Sequence, residues 1–332
     1  MSFVHSWLTP MDILITEDIQ AASLDKLAEN FTVVRDGALW KDEPRLTEAI
    51  RDARAMIIRN QTQVTAGLLA SAPKLLCIGR HGVGLDNIDM KAASAAGVVV
   101  IAPLDANAMS VAEHTFALML ALARKVVAAD RSTRAGEWAR LRYTGTELAG
   151  KTVCICGLGR IGRRVAVRAK AFEMRVVVFD PFMKPGSPAL AESGAMLAAT
   201  LDEAVAQADF VTTHSPLTAE TRQMFNARSF AAMKRGAFFV NTSRGGVVDE
   251  AALLAALKSG HLGGAGLDVR ETEPPASRGE FEVLDNVVLT PHIASFTTEA
   301  QDRTAEGVAS DVARVLSGQA AVNSVNFAAP RR

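Results

Sequence analysis

The feature that most constrains this sequence is an apolar stretch, residues 153–156, that runs directly into the spaced glycines Gly157, Gly159 and Gly162. A strand, this glycine pattern and a helix suit a dinucleotide, because glycines permit a tight turn, close backbone approach of a pyrophosphate and tight helix packing. The helix, predicted over residues 160–172, would direct the positive end of its dipole at that pyrophosphate. A second apolar strand ends at Asp180, about 20 residues further on, where a carboxylate can accept hydrogen bonds from a ribose. The pattern predicts a dinucleotide site.

Length and composition predict two domains of the α/β class. The chain has 332 residues, of which 49% are hydrophobic, enough for two buried cores. Its 36 basic and 36 acidic residues balance, and no apolar stretch has the length of a membrane span. We therefore expect neither nucleic acid nor a membrane as a partner. Cys77, Cys154 and Cys156 lie in apolar runs without metal-ligand spacing, which predicts reduced core residues in a cytoplasmic protein and no metal site.

The chain ends give further expectations. Residues 1–10 look like an extension ahead of the first strand, without the basic and then apolar pattern of an export signal, and Met11 is an alternative start. Only a short tail follows the last predicted helix, so we expect no appended regulatory domain.

Short apolar strands alternate with helical stretches along the whole chain, which predicts a parallel sheet in each domain. The predicted strands are residues 13–15, 32–34, 55–59, 75–78 and 98–101, and then 153–156, 176–179, 210–213, 238–241, 266–269 and 287–290. One long helix is predicted from Ser110, as N-cap with Glu113 at capping-box spacing, to Ala135. It is apolar around most of its circumference, so another domain or a second subunit is expected to bury it.

The last helix, predicted over residues 297–316, is free to return to the first domain. We therefore expect a discontinuous first domain of residues 1–108 plus 296–332, and a cofactor domain of residues 109–295. In the cofactor domain, polar or glycine residues stand at the carboxyl ends of the strands, where ligands bind in an open α/β sheet. These groups are Gly157, Asp180, His214, Thr242-Ser243-Arg244, Asp268 and His292. Six such ends predict one crevice that collects them.

The same residues carry a resemblance that covers nearly the whole chain. The motifs are Gly157-x-Gly159-x-x-Gly162 with Asp180, His214-Ser215-Pro216-Leu217-Thr218, Asn241-Thr242-Ser243-Arg244-Gly245, Gly266-Leu267-Asp268-Val269 with Glu273-Pro274, Pro291-His292-Ile293-Ala294, Gly82-Val83-Gly84 with Asp86-Asn87-Ile88-Asp89, and Ser110-Val111-Ala112-Glu113-His114. Together they resemble the D-isomer-specific 2-hydroxyacid dehydrogenase family, near its phosphoglycerate dehydrogenase and hydroxypyruvate reductase branches. The resemblance implies a two-domain α/β fold, with a Rossmann-type NAD-binding domain inserted in a flavodoxin-like substrate domain, NAD as cofactor, and a homodimer.

The resemblance also implies a catalytic set of Arg244, Glu273 and His292. Reduction of a 2-oxo acid requires a fixed carboxylate, a polarised carbonyl, a hydride and a proton for the forming alkoxide. A guanidinium with two parallel donors suits the first two tasks, so Arg244 would bind carboxylate and carbonyl oxygen. His292 would donate the proton in reduction and accept it in oxidation, and the Glu273 carboxylate would stabilise its charged form.

Cofactor contacts are implied for Gly157, Gly159, Arg160, Ile161, Gly162, Asp180, His214, Pro216, Thr221, Thr242, Ser243, Asp268 and Ser295. His214 matches a ribose contact or is a strand-end histidine bound to a backbone carbonyl, and Asp268 matches a contact on the nicotinamide side. For the substrate, the N–H groups of Val83 and Gly84 match a carboxylate-binding loop. Arg59 matches an arginine near a substrate phosphate or is a solvated strand-end residue. Among the other histidines, we expect His81 and His114 to be structural and His5 and His261 to be exposed.

The predicted function is NAD-dependent interconversion of a small D-2-hydroxy acid and its 2-oxo acid. The substrate is 3-phosphoglycerate with 3-phosphohydroxypyruvate, or alternatively hydroxypyruvate and glyoxylate. Formate dehydrogenases resemble the chain less, because they carry glutamine where Glu273 stands. An NAD(H)-sensing, corepressor-like binding protein is the alternative from another class, since it shares the fold.

Overall fold

The computed structural model describes residues 11–331, which form two compact units. The first unit is Met1–Asn107 with Thr297–Arg332, and the second is Ala108–Phe296. Each boundary lies one residue from the one expected from the sequence, and the role of each unit stays a prediction. The N-terminal extension and His5 lie outside the described residues.

Short strands and helices alternate through both units. The strands are β1 (Ile13–Ile15), β2 (Val33–Arg35), β3 (Ala55–Ile58), β4 (Cys77–Arg80), β5 (Val99–Ile101), β6 (Thr152–Cys156), β7 (Arg175–Phe179), β8 (Met196–Leu197), β9 (Phe210–Thr213), β10 (Phe238–Asn241), β11 (Gly264–Leu267) and β12 (Val287–Leu289). The helices are α1 (Ala22–Asp25), α2 (Glu43–Ala49), α3 (Ala66–Ala70), α4 (Met90–Ala95), α5 (Ala108–Ala123), α6 (Val126–Arg134), α7 (Arg160–Ala171), α8 (Pro188–Ser193), α9 (Leu201–Ala206), α10 (Ala227–Ala232), α11 (Glu250–Lys258) and α12 (Thr298–Leu316). None of these helices combines the length and apolar character needed to cross a membrane, as far as residues 11–331 are concerned.

The first unit is built on a five-stranded parallel sheet with the order β2-β1-β3-β4-β5. This order is flavodoxin-like, with the chain reversing direction across the sheet beside β1. Apolar side chains are buried on both faces, which explains strands without hydrophobic alternation. Helix α12, from the far end of the chain, covers one face and packs on β3, β4 and β5.

The second unit is built on a seven-stranded parallel sheet with the order β12-β11-β10-β9-β6-β7-β8. Strand β6 lies between β7 and β9, so the strand order reverses there, as in a Rossmann fold. The glycine turn follows β6 directly. The predicted α/β class, with a Rossmann-type segment inserted in a flavodoxin-like one, is confirmed.

The prediction of one helix from Ser110 to Ala135 is wrong. Helix α5 starts at Ala108 and ends at Ala123, so Ser110 is a buried helix residue and not an N-cap. Lys125 has a φ of 53°, which breaks the helix before α6. The carbonyl of Ala123 accepts a hydrogen bond from the N–H of Thr146. The apolar circumference of α5 packs on α7, β10 and β11 within its own unit, so the burial needs no second subunit.

Smaller differences have local causes. Strand β11 covers Gly264–Leu267, not residues 266–269. Its start was missed because glycine has a low strand propensity, and two of its four residues are glycines. Arg59 follows β3 and is not part of it. His261 is half-buried, not exposed, since its Nε2 lies 3.0 Å from the Phe230 carbonyl and 3.1 Å from the Met233 carbonyl.

The contact of α12 with Gly79 in β4 gives a stability prediction. An alanine Cβ at Gly79 would lie 2.6 Å from Val308 Cγ1 and 3.1 Å from Val312 Cγ2. Gly79→Ala should therefore lower the free energy of unfolding by about 1–3 kcal/mol in urea titrations. As a control, Gly67→Ala in α3 meets only Thr65 Oγ1 at 3.7 Å and should be neutral or stabilising. Equal effects of the two substitutions would contradict the close packing.

Candidate active site

The turn between β6 and α7 presents open backbone. Gly157 has a φ of 94°, and a side chain there would lie 3.2 Å from the backbone of His214. A Cβ at Gly162 would lie 2.1 Å from the Gly157 carbonyl oxygen, so α7 packs directly on the turn. A Cβ at Gly159 would meet nothing within 4 Å, and no side chain among residues 11–331 caps α7. The turn therefore has room and N–H donors for a pyrophosphate.

Asp180 stands at the carboxyl end of β7, beside this turn. Its Oδ2 accepts a hydrogen bond from the Leu158 N–H at 2.9 Å, and its Oδ1 accepts one from the Phe182 N–H at 2.9 Å. The residue is half-buried. Each carboxylate oxygen has a second lone pair, so the fixed carboxylate can still accept from ribose hydroxyls.

His214 follows β9 and faces the interior with its ring nitrogens. Its Nε2 lies 3.2 Å from Thr212 Oγ1, and its Nδ1 has no partner among the described residues. Burial lowers the pKa of His214 to about 3, so the ring is neutral at physiological pH. The following turn is closed by Thr221, whose hydroxyl donates to the Pro216 carbonyl at 2.6 Å. Neither ring nitrogen of His214 contacts a backbone carbonyl among the described residues, in contrast to the structural alternative.

The segment after β10 is tightly bonded to itself. The N–H and hydroxyl of Ser243 both donate to Asn241 Oδ1 at 2.9 Å, and the buried Thr242 hydroxyl lies 3.0 Å from that of Thr115 in α5. The Asn241 amide donates to the carbonyl of Arg244 at 2.9 Å. The Arg244 side chain is half-buried, and its Nη1 donates to the Ser243 carbonyl at 2.7 Å. The backbone that carries this guanidinium is therefore fixed.

Glu273 and His292 form a direct pair. His292 Nδ1 lies 2.6 Å from Glu273 Oε2, while Glu273 Oε1 accepts the Arg270 N–H at 2.9 Å. Burial raises the pKa of Glu273, but the bonds from His292 and Arg270 and the charge of Arg244 outweigh it and hold this pKa below the ordinary 4.5. With Nδ1 bound to the carboxylate, Nε2 is the nitrogen that can exchange a proton with a ligand.

Asp268 fixes the turn that carries His292. Its side chain is buried, with Oδ1 accepting from the Thr290 hydroxyl at 2.6 Å and the Ile293 N–H at 2.8 Å, and Oδ2 from the Ala294 N–H at 2.8 Å. Its carbonyl accepts the N–H of His292, whose φ is 55°. Burial raises the pKa of Asp268, but hydrogen bonds to its carboxylate from His114, Thr290, Ile293 and Ala294 lower it below its usual value. The carboxylate, predicted to face the cofactor, is largely occupied in holding this turn.

The sequence did not single out His114 for this site. Its Nε2 lies 3.0 Å from the Thr290 hydroxyl and 3.5 Å from Asp268 Oδ1, so α5 contributes to the same network. The available signal was that His114 ends the motif Ser110-Val111-Ala112-Glu113-His114, which carries part of the family resemblance. Ser295 is half-buried and follows Ala294, whose N–H donates to Asp268. Arg160 and Ile161 are the first two residues of α7, next to the glycine turn.

Three of the four predicted substrate-binding residues, Arg59, Val83 and Gly84, lie in the first unit. Arg59 is half-buried, and its Nη2 donates to Gln301 Oε1 of α12 at 3.0 Å. Burial lowers the pKa of Arg59, and the carboxylates of Glu17 and Asp18 partly offset this effect. The same Glu17 accepts the backbone N–H of Arg59 at 2.8 Å, which fixes the residue after β3.

The loop with Val83 and Gly84 wraps around a guanidinium that the sequence prediction missed. Arg80 Nε donates to the Gly84 carbonyl at 2.8 Å, and its Nη1 donates to the His81 carbonyl at 2.6 Å. Gly82 has a φ of 146°, a conformation that residues with a side chain rarely adopt, so glycine is favoured there. His81 is buried as expected, and burial lowers its pKa to about 4. The arginine two residues before Gly82 was the available signal.

Within the second unit, one sheet edge therefore carries the glycine turn, Asp180, Arg244 and the Glu273–His292 pair. No group of three or more His, Cys, Asp or Glu side chains placed to hold a metal ion occurs within residues 11–331. A fixed guanidinium, a histidine paired with a carboxylate and an open glycine turn are the groups that hydride transfer to a 2-oxo acid requires.

Comparison with known proteins gives the family. Residues 116–294, just over half of the chain, match the model of the D-isomer specific 2-hydroxyacid dehydrogenase NAD binding domain. A solved structure of a Thermus thermophilus protein is 36% identical, covers 95% of this chain and 100% of its own, and has a TM-score of 0.87. The chain belongs to the D-isomer specific 2-hydroxyacid dehydrogenase family, and residues 116–294 match the NAD-binding domain of that family.

Two further relatives bear on the substrate. The D-3-phosphoglycerate dehydrogenase of Methanocaldococcus jannaschii is 44% identical over 316 residues, which are 95% of this chain and 59% of that protein. The chain thus spans about three fifths of the length of this relative. The NADPH-dependent glyoxylate/hydroxypyruvate reductase of Sinorhizobium meliloti, solved with NADP and malonate, is 29% identical, with 98% of this chain and 99% of its own covered and a TM-score of 0.86.

Proposed function

We propose that this protein interconverts a D-2-hydroxy acid and its 2-oxo acid with NAD(H). The observation that carries the proposal is the 2.6 Å bond between His292 Nδ1 and Glu273 Oε2, which leaves Nε2 for proton exchange. A family member that only bound the dinucleotide would not need this pair. The names of the relatives support the same class of reaction.

The chain's own residues divide the work. Arg244 binds the substrate carboxylate and carbonyl oxygen with its two parallel donors and holds the carbonyl carbon in place. His292 Nε2 gives its proton to the carbonyl oxygen in reduction and takes it back in oxidation. Glu273 stabilises the imidazolium and fixes the ring orientation. When bound, the nicotinamide supplies or accepts the hydride.

Asp180 supports NAD(H) over NADP(H). Its carboxylate, held by the N–H groups of Leu158 and Phe182, would accept from both ribose hydroxyls and repel a 2′-phosphate. The cofactor contacts of Gly157, Gly159, Arg160, Ile161, Gly162, His214, Pro216, Thr221, Thr242, Ser243, Asp268 and Ser295 are part of the same proposal. Because protein N–H and hydroxyl groups already bind the Asp268 carboxylate, its main proposed role is to hold the turn that carries His292. A contact with the nicotinamide is its secondary proposed role.

The proposed substrate is 3-phosphoglycerate with 3-phosphohydroxypyruvate. The half-buried guanidinium of Arg59 supports it, since a planar fork pairs with a phosphate in two-point geometry. Val83 and Gly84 would bind the substrate carboxylate through their N–H groups. The alternative is reduction of hydroxypyruvate or glyoxylate, which the Sinorhizobium meliloti relative favours.

We also propose a cytoplasmic homodimer. Three cysteines, Cys77, Cys154 and Cys156, are buried as free thiols, which suits a reducing compartment. In the second unit, a groove of about 510 Å³ is lined by residues of α5, α6 and the segment 137–143. Val126, Trp138 and Leu141, on α6 and this segment, are 53%, 81% and 90% exposed. A two-fold dimer would cover these apolar side chains and the groove beside them.

The activity is tested by NADH and NADPH oxidation over a panel of 2-oxo acids. His292→Asn should lower kcat by about 10² to 10⁴, because the proton donor is lost, with little change in NADH affinity measured by fluorescence. His261→Asn, a histidine bound to helix carbonyls in the same unit, is the control and should keep its kcat. Tight NADH binding without turnover of any oxo acid would favour the sensor alternative.

The pH profile of the same assay tests the pair. In the wild type, Glu273 stays charged until the pH falls to its pKa, which lies below 4.5. The rate of reduction should therefore begin to fall on the acidic side only below pH 4.5. In Glu273→Gln the imidazolium loses its counter-charge, and the alkaline loss of reduction should move to lower pH. An unmoved alkaline limit would remove Glu273 from the mechanism.

Arg59 decides between the substrates. Arg59→Ala should raise KM for 3-phosphohydroxypyruvate by about 10- to 100-fold, the size of a charge-assisted phosphate contact, and change KM for hydroxypyruvate or glyoxylate much less. The exposed Arg51→Ala in the same unit is the matched control for loss of one positive charge. If the wild type prefers the unphosphorylated acids and Arg59→Ala leaves their ranking unchanged, the reductase alternative replaces the phosphoglycerate proposal.

The dimer is tested by light scattering at micromolar concentration. The wild type should have twice the mass of one chain, and Leu141→Glu should shift the protein towards monomer, because it places a charge in the apolar surface. Met196→Glu, at another residue with an exposed side chain, on the edge strand β8, is the control and should leave the mass unchanged. A wild-type monomer would contradict the proposal.

A further inference from the structure

Arg270 forms a shielded ion cluster next to the Glu273–His292 pair. Its Nε and Nη2 donate to the two carboxylate oxygens of Glu250 at 3.0 and 3.2 Å, and its Nη1 donates to Glu282 at 2.8 Å. The guanidinium lies 4.8 Å from the ring centre of the buried Phe281. The side chains are 16% exposed for Arg270, 23% for Glu250 and 22% for Glu282, so salt and water screen these contacts less than at an open surface. A planar fork is what reaches two carboxylates at once.

The backbone of the same residue contacts the catalytic groups. The Arg270 N–H donates to Glu273 Oε1 at 2.9 Å, which stops the carboxylate rotating and leaves Oε2 for His292. On its other side, a Cβ at Gly245 would lie 1.8 Å from the Arg270 carbonyl oxygen, so this peptide packs directly against the residue after Arg244. The backbone of this one residue therefore borders both halves of the proposed catalytic set.

No regular structure holds this peptide in place. Between β11 and the 3-10 turn Phe281–Val283 the chain forms neither helix nor strand. The two carboxylates that bind Arg270 also fix the ends of this loop, because Glu250 accepts the Glu271 N–H at 2.8 Å and Glu282 accepts the Gly279 N–H at 2.9 Å. The loop geometry thus depends on the ion cluster.

We propose that Arg270 is a positioning residue for the reaction: its guanidinium, bound to Glu250 and Glu282, fixes the peptide that orients Glu273 towards His292. Arg270 does not itself touch the reacting atoms. The inference rests on the proposed function, because Glu273 and His292 act only in that reaction.

A double-mutant cycle tests whether Arg270 acts through Glu273. Arg270→Gln should lower kcat for reduction by about tenfold or more, since a misplaced catalytic group is costly, and leave NADH affinity unchanged. In a Glu273→Gln background the same substitution should change kcat less than about threefold, because the group that it positions is already gone. Arg270→Lys should recover part of the activity. Equal factors in both backgrounds would overturn the proposal.

The control is Lys234→Gln. Lys234 forms a 3.1 Å ion pair with Asp209 in the same unit, before the first residue of β9 and so at the opposite edge of the sheet from the proposed site. This variant measures what the loss of a partly shielded ion pair does to folding alone. It should alter thermal stability without moving kcat or the pH limits, and a kcat loss as large as that of Arg270→Gln would overturn the proposal.

A second readout does not need turnover. The pKa of the Glu273 carboxyl, followed by ¹³C NMR of labelled glutamate and assigned by the signal missing in Glu273→Gln, should rise in Arg270→Gln or Arg270→Lys and not in Lys234→Gln. The acidic groups around this carboxyl, Glu250, Glu271 and Glu282, are followed in the same spectra. An unchanged Glu273 pKa would overturn the proposal even if no oxo acid is reduced, and absence of turnover with a raised pKa would overturn only the proposed function.

Discussion

A buried carboxylate, Asp268, is the contact on which the proposed catalytic pair depends. Removing a charge from water is costly unless hydrogen bonds replace the lost solvent, and here a hydroxyl and two N–H groups from one turn supply them. The turn is thereby held in the conformation that gives His292 a φ of 55°. An amide at residue 268 could not accept all of these bonds, so the charge and the geometry of the turn belong together.

The first unit uses the same device at its own strand ends. Glu17, after β1, is 5% exposed and accepts the N–H groups of Arg59, Gln61 and Thr62 at 2.8 to 3.0 Å. In both units, then, a carboxylate at the end of one strand organises the loop after a neighbouring strand. Arg59 in the first unit and His292 in the second unit are each carried on a loop fixed in this way.

Much of this arrangement could be predicted from the chain alone. Gly157 and Asp180 follow from the spacing of glycines and strands, and the strand alternation predicted both sheets, because these signals are local. The pair of Glu273 and His292 came from the family resemblance, since 19 residues separate them and no periodicity joins them. The helix break at Lys125 is accompanied by a hydrogen bond from the Thr146 N–H to the Ala123 carbonyl. The contacts of Arg80 and Arg270 likewise involve partners that the local sequence does not indicate. Such contacts are set by tertiary packing, which local propensity does not record.

The return of α12 to the first sheet has a consequence for synthesis of the protein. The second unit is one continuous segment, so all of its strands are synthesised before the last helix. Until α12 is made, one apolar face of the first sheet stays partly uncovered, because Val308 and Val312, which pack on Gly79, belong to that helix. The inserted unit can therefore fold first, while the first sheet lacks part of its cover until α12 has been synthesised.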